Sequence, residues 1–214
     1  MDSYKLSTLQ LDFLHAFFQR EHRFFLTGGA ALVGFHLGHR DTYDLDLFTL
    51  EDIVTEGFAT VTEVARQLGA SIESLQTSPD FRRLLLRRET EAIVIDLVRE
   101  QVVQAKLEKL LFGEIRVDPP KEILANKLCA LLSRSEIRDL VDVRALESIG
   151  YRVEDALEAA HQKDRGLTAA QLSWVLSQIE FGDDLIPPGS VLRSDLQTYL
   201  TALIERLANV AFPN

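Results

Sequence analysis

One stretch, Phe24 to Thr49, constrains this chain more than any other: FFLTGGAALVGFHLGHRDTYDLDLFT. It opens on an apolar run, Phe24-Phe25-Leu26, which reads as a short buried strand. Gly28 and Gly29 end that strand. Ala31, Leu32 and Phe35 follow at helical spacing, and Gly38 stands where a helix would stop. A second strand is expected from Thr42 to Phe48. Side chains on a strand alternate between faces, so Thr42, Asp44 and Asp46 share one face, and Leu45 and Leu47 point into a core. Two carboxylates on one face repel each other, and a bound hard cation relieves the repulsion through their oxygens. The glycine pair adds a place for an anion, because backbone N–H groups at a helix N-terminus lie open where no side chain intervenes. Glycine turn, helix and acidic strand together outline a seat for a metal-bound nucleotide.

The remaining chain sets bounds on that reading. Its 214 residues suffice for one large domain or two small ones, without need of a disulfide or structural metal. Cys129 is the only cysteine, which rules out an intrachain disulfide and suits a reducing cytoplasm. MDSYKLSTLQ has no apolar signal core and no apolar run is long enough for a membrane span, so a cytoplasmic protein without membrane contact is expected. The formal net charge is −10, whereas proteins that coat nucleic acid are usually basic. RNA contact would therefore need a local basic patch acting against the overall field.

Taken in order, Ser7 or Thr8 can cap a first helix with Leu11, Phe13, Leu14, Phe17 and Phe18 as its apolar stripe. His15 and His22 read as surface or edge residues. His36 and His39 have the i, i+3 spacing of helical metal ligands, but no third ligand is evident. Arg40 leads into the acidic strand, where a triphosphate would lie. A helix follows from about Leu50 to Leu68, stopped by Gly69. Strands are expected over Ser71–Gln76, Phe81–Glu89 and Ala92–Arg99. Arg82, Arg83, Arg87 and Arg88 cluster in the second of these, either as solvated strand ends or as a phosphate-binding edge for RNA. Asp96 interrupts the apolar run Ile93-Val94-Ile95-Asp96-Leu97-Val98. A buried carboxylate without a partner is expensive, so Asp96 belongs to a sheet edge or to a site. After Asp118-Pro119-Pro120 the pattern turns helical, over 121–133, about 136–148, 153–163, 168–180 and about 193–209. Ser133-Arg134-Ser135-Glu136 has the form of a capping box for the second helix of this group. The fold class expected is α/β (α+β), a small mixed sheet with flanking helices over 1–118 and a helical portion over 119–214.

The Gly-Gly and Asp-x-Asp pair resembles the polymerase-beta-like nucleotidyltransferase superfamily, and within it the AbiEii/AbiGii toxin family. The residues that carry the resemblance are Phe25-Leu26-Thr27-Gly28-Gly29-Ala30-Ala31-Leu32 and Arg40-Asp41-Thr42-Tyr43-Asp44-Leu45-Asp46-Leu47-Phe48. It extends through Lys127, Arg134 and Arg138-Asp139-Leu-Val-Asp142 and covers roughly residues 23–146. The resemblance implies an NTP-dependent nucleotidyltransferase using Mg2+ or Mn2+. Asp44 and Asp46 would be catalytic metal ligands, with Asp96 as the third carboxylate, either on a metal or drawing the proton from the acceptor hydroxyl. Gly28, Gly29, Arg40, Thr42 and Lys127 would hold the nucleotide, with Arg134, Asp139 and Asp142 as accessories. On a bland alternative, Arg138 and Asp142 simply pair on a helix surface. The resemblance also implies an RNA acceptor such as a tRNA 3′ end and an antitoxin protein partner. Alternatives are transfer to a protein or small molecule, an inactive nucleotide-binding module acting through a partner, and a purely structural domain.

Overall fold

The structure, a computed structural model, describes residues 5–213; the first four residues of the MDSYKLSTLQ segment lie outside it, as does Asn214. The chain forms two compact units. One runs through Val102 and resumes over Glu108–Pro119, and the other combines Val103–Leu107 with the chain from Pro120 onward. The fold class is mixed α/β, as the sequence indicates.

The first unit is built on a seven-stranded mixed sheet. Its strands are β1 (Phe24–Thr27), β2 (Asp44–Thr49), β3 (Ser71–Ser78), β4 (Phe81–Arg88), β5 (Glu91–Arg99), β6 (Leu110–Phe112) and β7 (Ile115–Val117). Their spatial order is β3-β4-β5-β2-β1-β7-β6. The pairs β1–β2, β3–β4, β4–β5 and β6–β7 are antiparallel, whereas β2–β5 and β1–β7 are parallel. A parallel pair needs a long crossover, and α3 (Val54–Gln67) with the β3–β4 hairpin supplies it between β2 and β5.

The two faces of this sheet differ. Phe24, Leu45, Leu47, Ile95 and Leu97 are buried and alternate with Asp44, Asp46 and Asp96 on the other face. Helix α1 (Thr8–Phe18) packs on the apolar side, where Phe17 meets Phe24 edge to face at 5.6 Å between ring centroids. Fully burying a side chain of this kind contributes ~1.5–3 kcal/mol. On α3, Gly57 lets the Phe24 ring approach, since a Cβ there would stand 2.5 Å from it. Ser7 caps α1 in a reciprocal box with Gln10, as its position suggests. Strand β2 begins at Asp44 rather than Thr42, although the Tyr43 carbonyl still accepts a bond from Val94 N–H.

In the second unit α4 (Pro120–Arg134) packs on α5 (Ile137–Ser148), α6 (Val153–Lys163) and α7 (Ala169–Ser177), and α7 packs on α8 (Arg193–Ala211). Leu196, Leu200, Leu203 and Leu207 line the buried stripe of α8 at helical spacing. Buried Glu122 accepts from Lys106 N–H at 2.7 Å and meets Lys163 Nζ at 2.5 Å, which ties the 103–107 segment to α4 and α6. The expected capping box at Ser133 is not formed. Ser133 is still inside α4 and donates to the Ala130 carbonyl, Ser135 takes a positive φ of 50°, and Glu136 is the N-cap of α5, its side chain paired with Arg138 and making no capping bond.

Candidate active site

The glycine turn and the acidic strand meet at close quarters. Gly28 has φ +65°, a left-handed conformation that suits glycine, and it opens the single-turn helix α2 (Gly28–Ala31). A Cβ on Gly28 would lie 2.1 Å from Oδ2 of Asp46. The Asp46 carboxylate therefore packs straight against the backbone of the turn. A Cβ on Gly29 would lie 2.8 Å from Nη2 of Arg40 and 3.4 Å from Oγ1 of Thr42. Arg40 is buried and donates from Nη1 to the Asp41 carbonyl. The lead-in to β2 thus wraps the turn from one side while β2 closes it from the other. The π-helical turn Leu32–His36 continues α2, and Gly38 at φ +62° ends this segment.

Strand register completes the arrangement. Asp46 pairs with Thr27 on one side and with Asp96 on the other, and Asp96 pairs with Arg83. Thr27, Asp46, Asp96 and Arg83 form one row across β1, β2, β5 and β4, on the same face as Asp44. Strand β5 is interior, so the sheet-edge account of Asp96 does not hold. The Arg83 guanidinium grips Asp96 with both arms, Nε to Oδ1 at 2.8 Å and Nη2 to Oδ2 at 2.6 Å. Its attraction to Asp96, opposed by partial burial and aided by Asp44 and Asp46, holds Arg83 more firmly protonated than an ordinary arginine. Sequence reasoning missed this pair. The signal was present in the two-residue turn Glu89-Thr90, since equal steps back from Arg88 and forward from Glu91 lead to Arg83 and Asp96.

The arginines of β4 do not form one edge. Arg82 stacks over the Phe58 ring at 4.5 Å on the helix-covered face, and Arg88 reaches Asp12 of α1 at 2.7 Å. Alternation places Arg83 and Arg87 on the opposite face. The expected phosphate-binding strip is split two and two. His36 is likewise engaged: its Nε2–H donates to the Asp118 carbonyl at 2.9 Å, and burial lowers its pKa. Among the described residues, no three His, Cys, Asp or Glu side chains form a metal-holding cluster.

Seven of the sequence-selected residues, Gly28, Gly29, Arg40, Thr42, Asp44, Asp46 and Asp96, thus belong to the first unit. The second unit holds the other four as a buried charge cluster. Lys127 Nζ lies 2.7 Å from Asp139 Oδ1 and 2.6 Å from Asp142 Oδ2, and Arg134 Nε donates to Asp139 Oδ2 at 2.9 Å. Asp139 and Asp142 are 0% exposed, so the surface-pair account of Asp142 fails. Burial works against the charge of Lys127, but Asp142 and Asp139 outweigh it and raise its pKa. Burial also opposes ionised Asp139, and Lys127 and Arg134 overcome that and lower its pKa.

Structural comparison defines the fold. A Helicobacter pylori chain described as a candidate nucleotidyltransferase superposes with a TM-score of 0.58 at 16% identity, over 96% of this chain and 99% of that one. JHP933 from Helicobacter pylori gives 0.58 at 16% identity, over 97% of each chain. The nucleotidyltransferase toxin MenT4 of Mycobacterium tuberculosis gives 0.60 at 16% identity, over 94% of this chain and 82% of its own. The fold is that of a nucleotidyltransferase. No curated protein matches the chain. The family described as "Nucleotidyl transferase AbiEii toxin, Type IV TA system" matches residues 12–206, so the chain belongs to the AbiEii nucleotidyltransferase toxin family and is a nucleotidyltransferase.

Proposed function

We propose that this enzyme moves a nucleoside monophosphate from an NTP to an acceptor hydroxyl, breaking the α–β phosphoanhydride and releasing pyrophosphate, with Mg2+ or Mn2+ held by Asp44 and Asp46, and that the acceptor is an RNA 3′ end of the tRNA kind. Its partners would be the NTP, that RNA and an antitoxin protein, in the cytoplasm. The observation that carries the reading is the row in which Gly28 touches Asp46 and Asp46 lies beside Asp96. The residues fit a hard cation: Asp44 and Asp46 offer carboxylate oxygens on one strand face. The buried Thr27 hydroxyl in the same row has no hydrogen-bond partner, so the site keeps a polar group in reserve.

When bound, the metal would stabilise the attacking and leaving oxygens of an in-line displacement. The protein's own residues do the rest. Backbone N–H groups of the turn at Gly28 and Gly29 bind phosphate oxygens, and Arg40 with Thr42 orient them. Asp96, once its oxygens are released by Arg83, serves as a further metal ligand or takes the acceptor proton. Lys127 would neutralise phosphate charge, with Arg134, Asp139 and Asp142 fixing its position.

The division of the β4 arginines between two faces, with the net charge of −10, favours a second reading in which the acceptor is a protein or small molecule. One experiment separates the two. The purified wild type and Asp46→Ala are incubated with each labelled NTP and total cell RNA. Tailed tRNA 3′ ends with the wild type alone support RNA transfer, whereas unaltered RNA beside a labelled protein band moves the acceptor to protein.

A further inference from the structure

The acidic face of the first unit already contains a cation of its own. Asp44, Asp46 and Asp96 share that face, and the Arg83 guanidinium sits on Asp96 through two short bonds. Asp96 is 5% exposed and so depends on a partner, whereas the Arg83 side chain is 46% exposed. The Phe81 ring lies 5.7 Å from the guanidinium carbon and lends it a second, weaker resting place. A guanidinium forks onto phosphate oxygens with the same two-armed geometry it uses on a carboxylate. Both oxygens of Asp96 already accept from Arg83, so a cation that draws on Asp96 competes with the guanidinium for its charge.

We propose that Arg83 is an internal counter-ion of the site: it occupies Asp96 in the empty enzyme, yields it when a metal-bound triphosphate arrives, and then grips a phosphate oxygen. The inference rests on the nucleotide-binding reading above. Arg83 thus acts first through Asp96 and then directly on the triphosphate, which ties metal entry to triphosphate binding. Metal alone competes with the guanidinium. Metal with triphosphate gives the guanidinium a new anion, so the two ligands favour each other's binding.

The test is calorimetric titration of Mn2+ and of a non-hydrolysable triphosphate, separately and together, into the wild type, Arg83→Gln and Arg83→Lys, with thermal melts of each. Loss of the competitor should tighten Mn2+ alone in Arg83→Gln by roughly two- to fivefold, the scale of one half-exposed ion pair. Triphosphate should bind more weakly to the same variant, and the mutual enhancement of the two ligands should shrink. Arg83→Lys keeps a charge but lacks the fork, so it should show the same signs at smaller size, and it serves as the readout if Arg83→Gln does not fold. Wild-type binding of both ligands with unchanged or weaker Mn2+ affinity in the folded variants overturns the inference alone. A wild type that binds neither ligand removes the nucleotide reading and the counter-ion with it.

Discussion

At Gly28 a methyl group would stand 2.1 Å from Oδ2 of Asp46, and the φ of +65° already disfavours a side chain. Gly28→Ala should therefore act on chemistry and fold together. The strained backbone costs ~1–3 kcal/mol, and displacement of the Asp46 carboxylate lowers turnover about a hundredfold. Thermal melts beside an NTP-transfer assay check both parts. Lys127 is a different case. Lys127→Ala leaves Asp139 and Asp142 buried without their shared cation, which should cost ~3–5 kcal/mol. Chemical denaturation measures that loss, and it has to be measured before any change in triphosphate affinity is assigned to phosphate contact. The glycine pair and the two acids of β2 were legible because their spacing is local: a turn residue and an i, i+2 alternation need no knowledge of the rest. The burial of Lys127 was also written in the sequence. Ile123, Lys127 and Leu131 follow at i, i+4 on α4, and both leucine-type neighbours are fully buried. The lysine's charge drew attention first, and its place on the apolar face of the helix went unread.

Among the elements, β5 carries the sharpest consequence. Asp96 stands between buried Ile95 and Leu97 but faces the other way, beside Asp46. Asp96→Asn should keep nucleotide binding and lose turnover, since an amide is a poorer metal ligand and no base. Turnover within a few-fold of wild type would take Asp96 out of the chemistry. Strands β1 to β5 were legible within about two residues, because alternation and turn residues bound them, whereas the three-residue strands β6 and β7 are too short to show an alternation and were not read. What was not read was the division of faces on β4, where four arginines in eight residues were left as either solvated strand ends or one phosphate-binding edge although successive side chains must diverge. Capping shows the same limit. Ser7-x-x-Gln10 and Ser133-x-x-Glu136 share one pattern, yet only the first opens a helix. Ser7→Ala should cost ~1 kcal/mol, whereas Ser133→Ala should leave the melting temperature nearly unchanged.

Across the whole molecule, charge burial sets the response to pH. Burial disfavours the charged form of His36, so its folded pKa lies below the unfolded one. As pH falls below ~6.5 the unfolded chain takes up a proton that folded His36 resists, and stability declines until the folded pKa is passed. His36→Gln should flatten this limb in melts run from neutral toward acid pH. Asp139 behaves as a group with a depressed pKa: its contribution is complete above the unfolded value of ~3.9 and is lost as pH falls through the lower folded one. Lys127 acts at the other end, contributing below ~10.4 and losing its contribution as pH rises through the raised folded value. None of these limits could be read from the chain, because they depend on which strands and helices become neighbours. That dependence also has a bearing on timing. Asp46 and Asp96 are fifty residues apart in sequence but adjacent in the sheet, and Leu26 pairs with Val117 across a longer gap still. Distant pairings close slowly. A nascent chain that has emerged only as far as α3 carries both glycines and both acids of β2, but not the strand that completes their row. On the proposed reading of this row as the active site, the order of synthesis postpones activity until the sheet has been threaded shut.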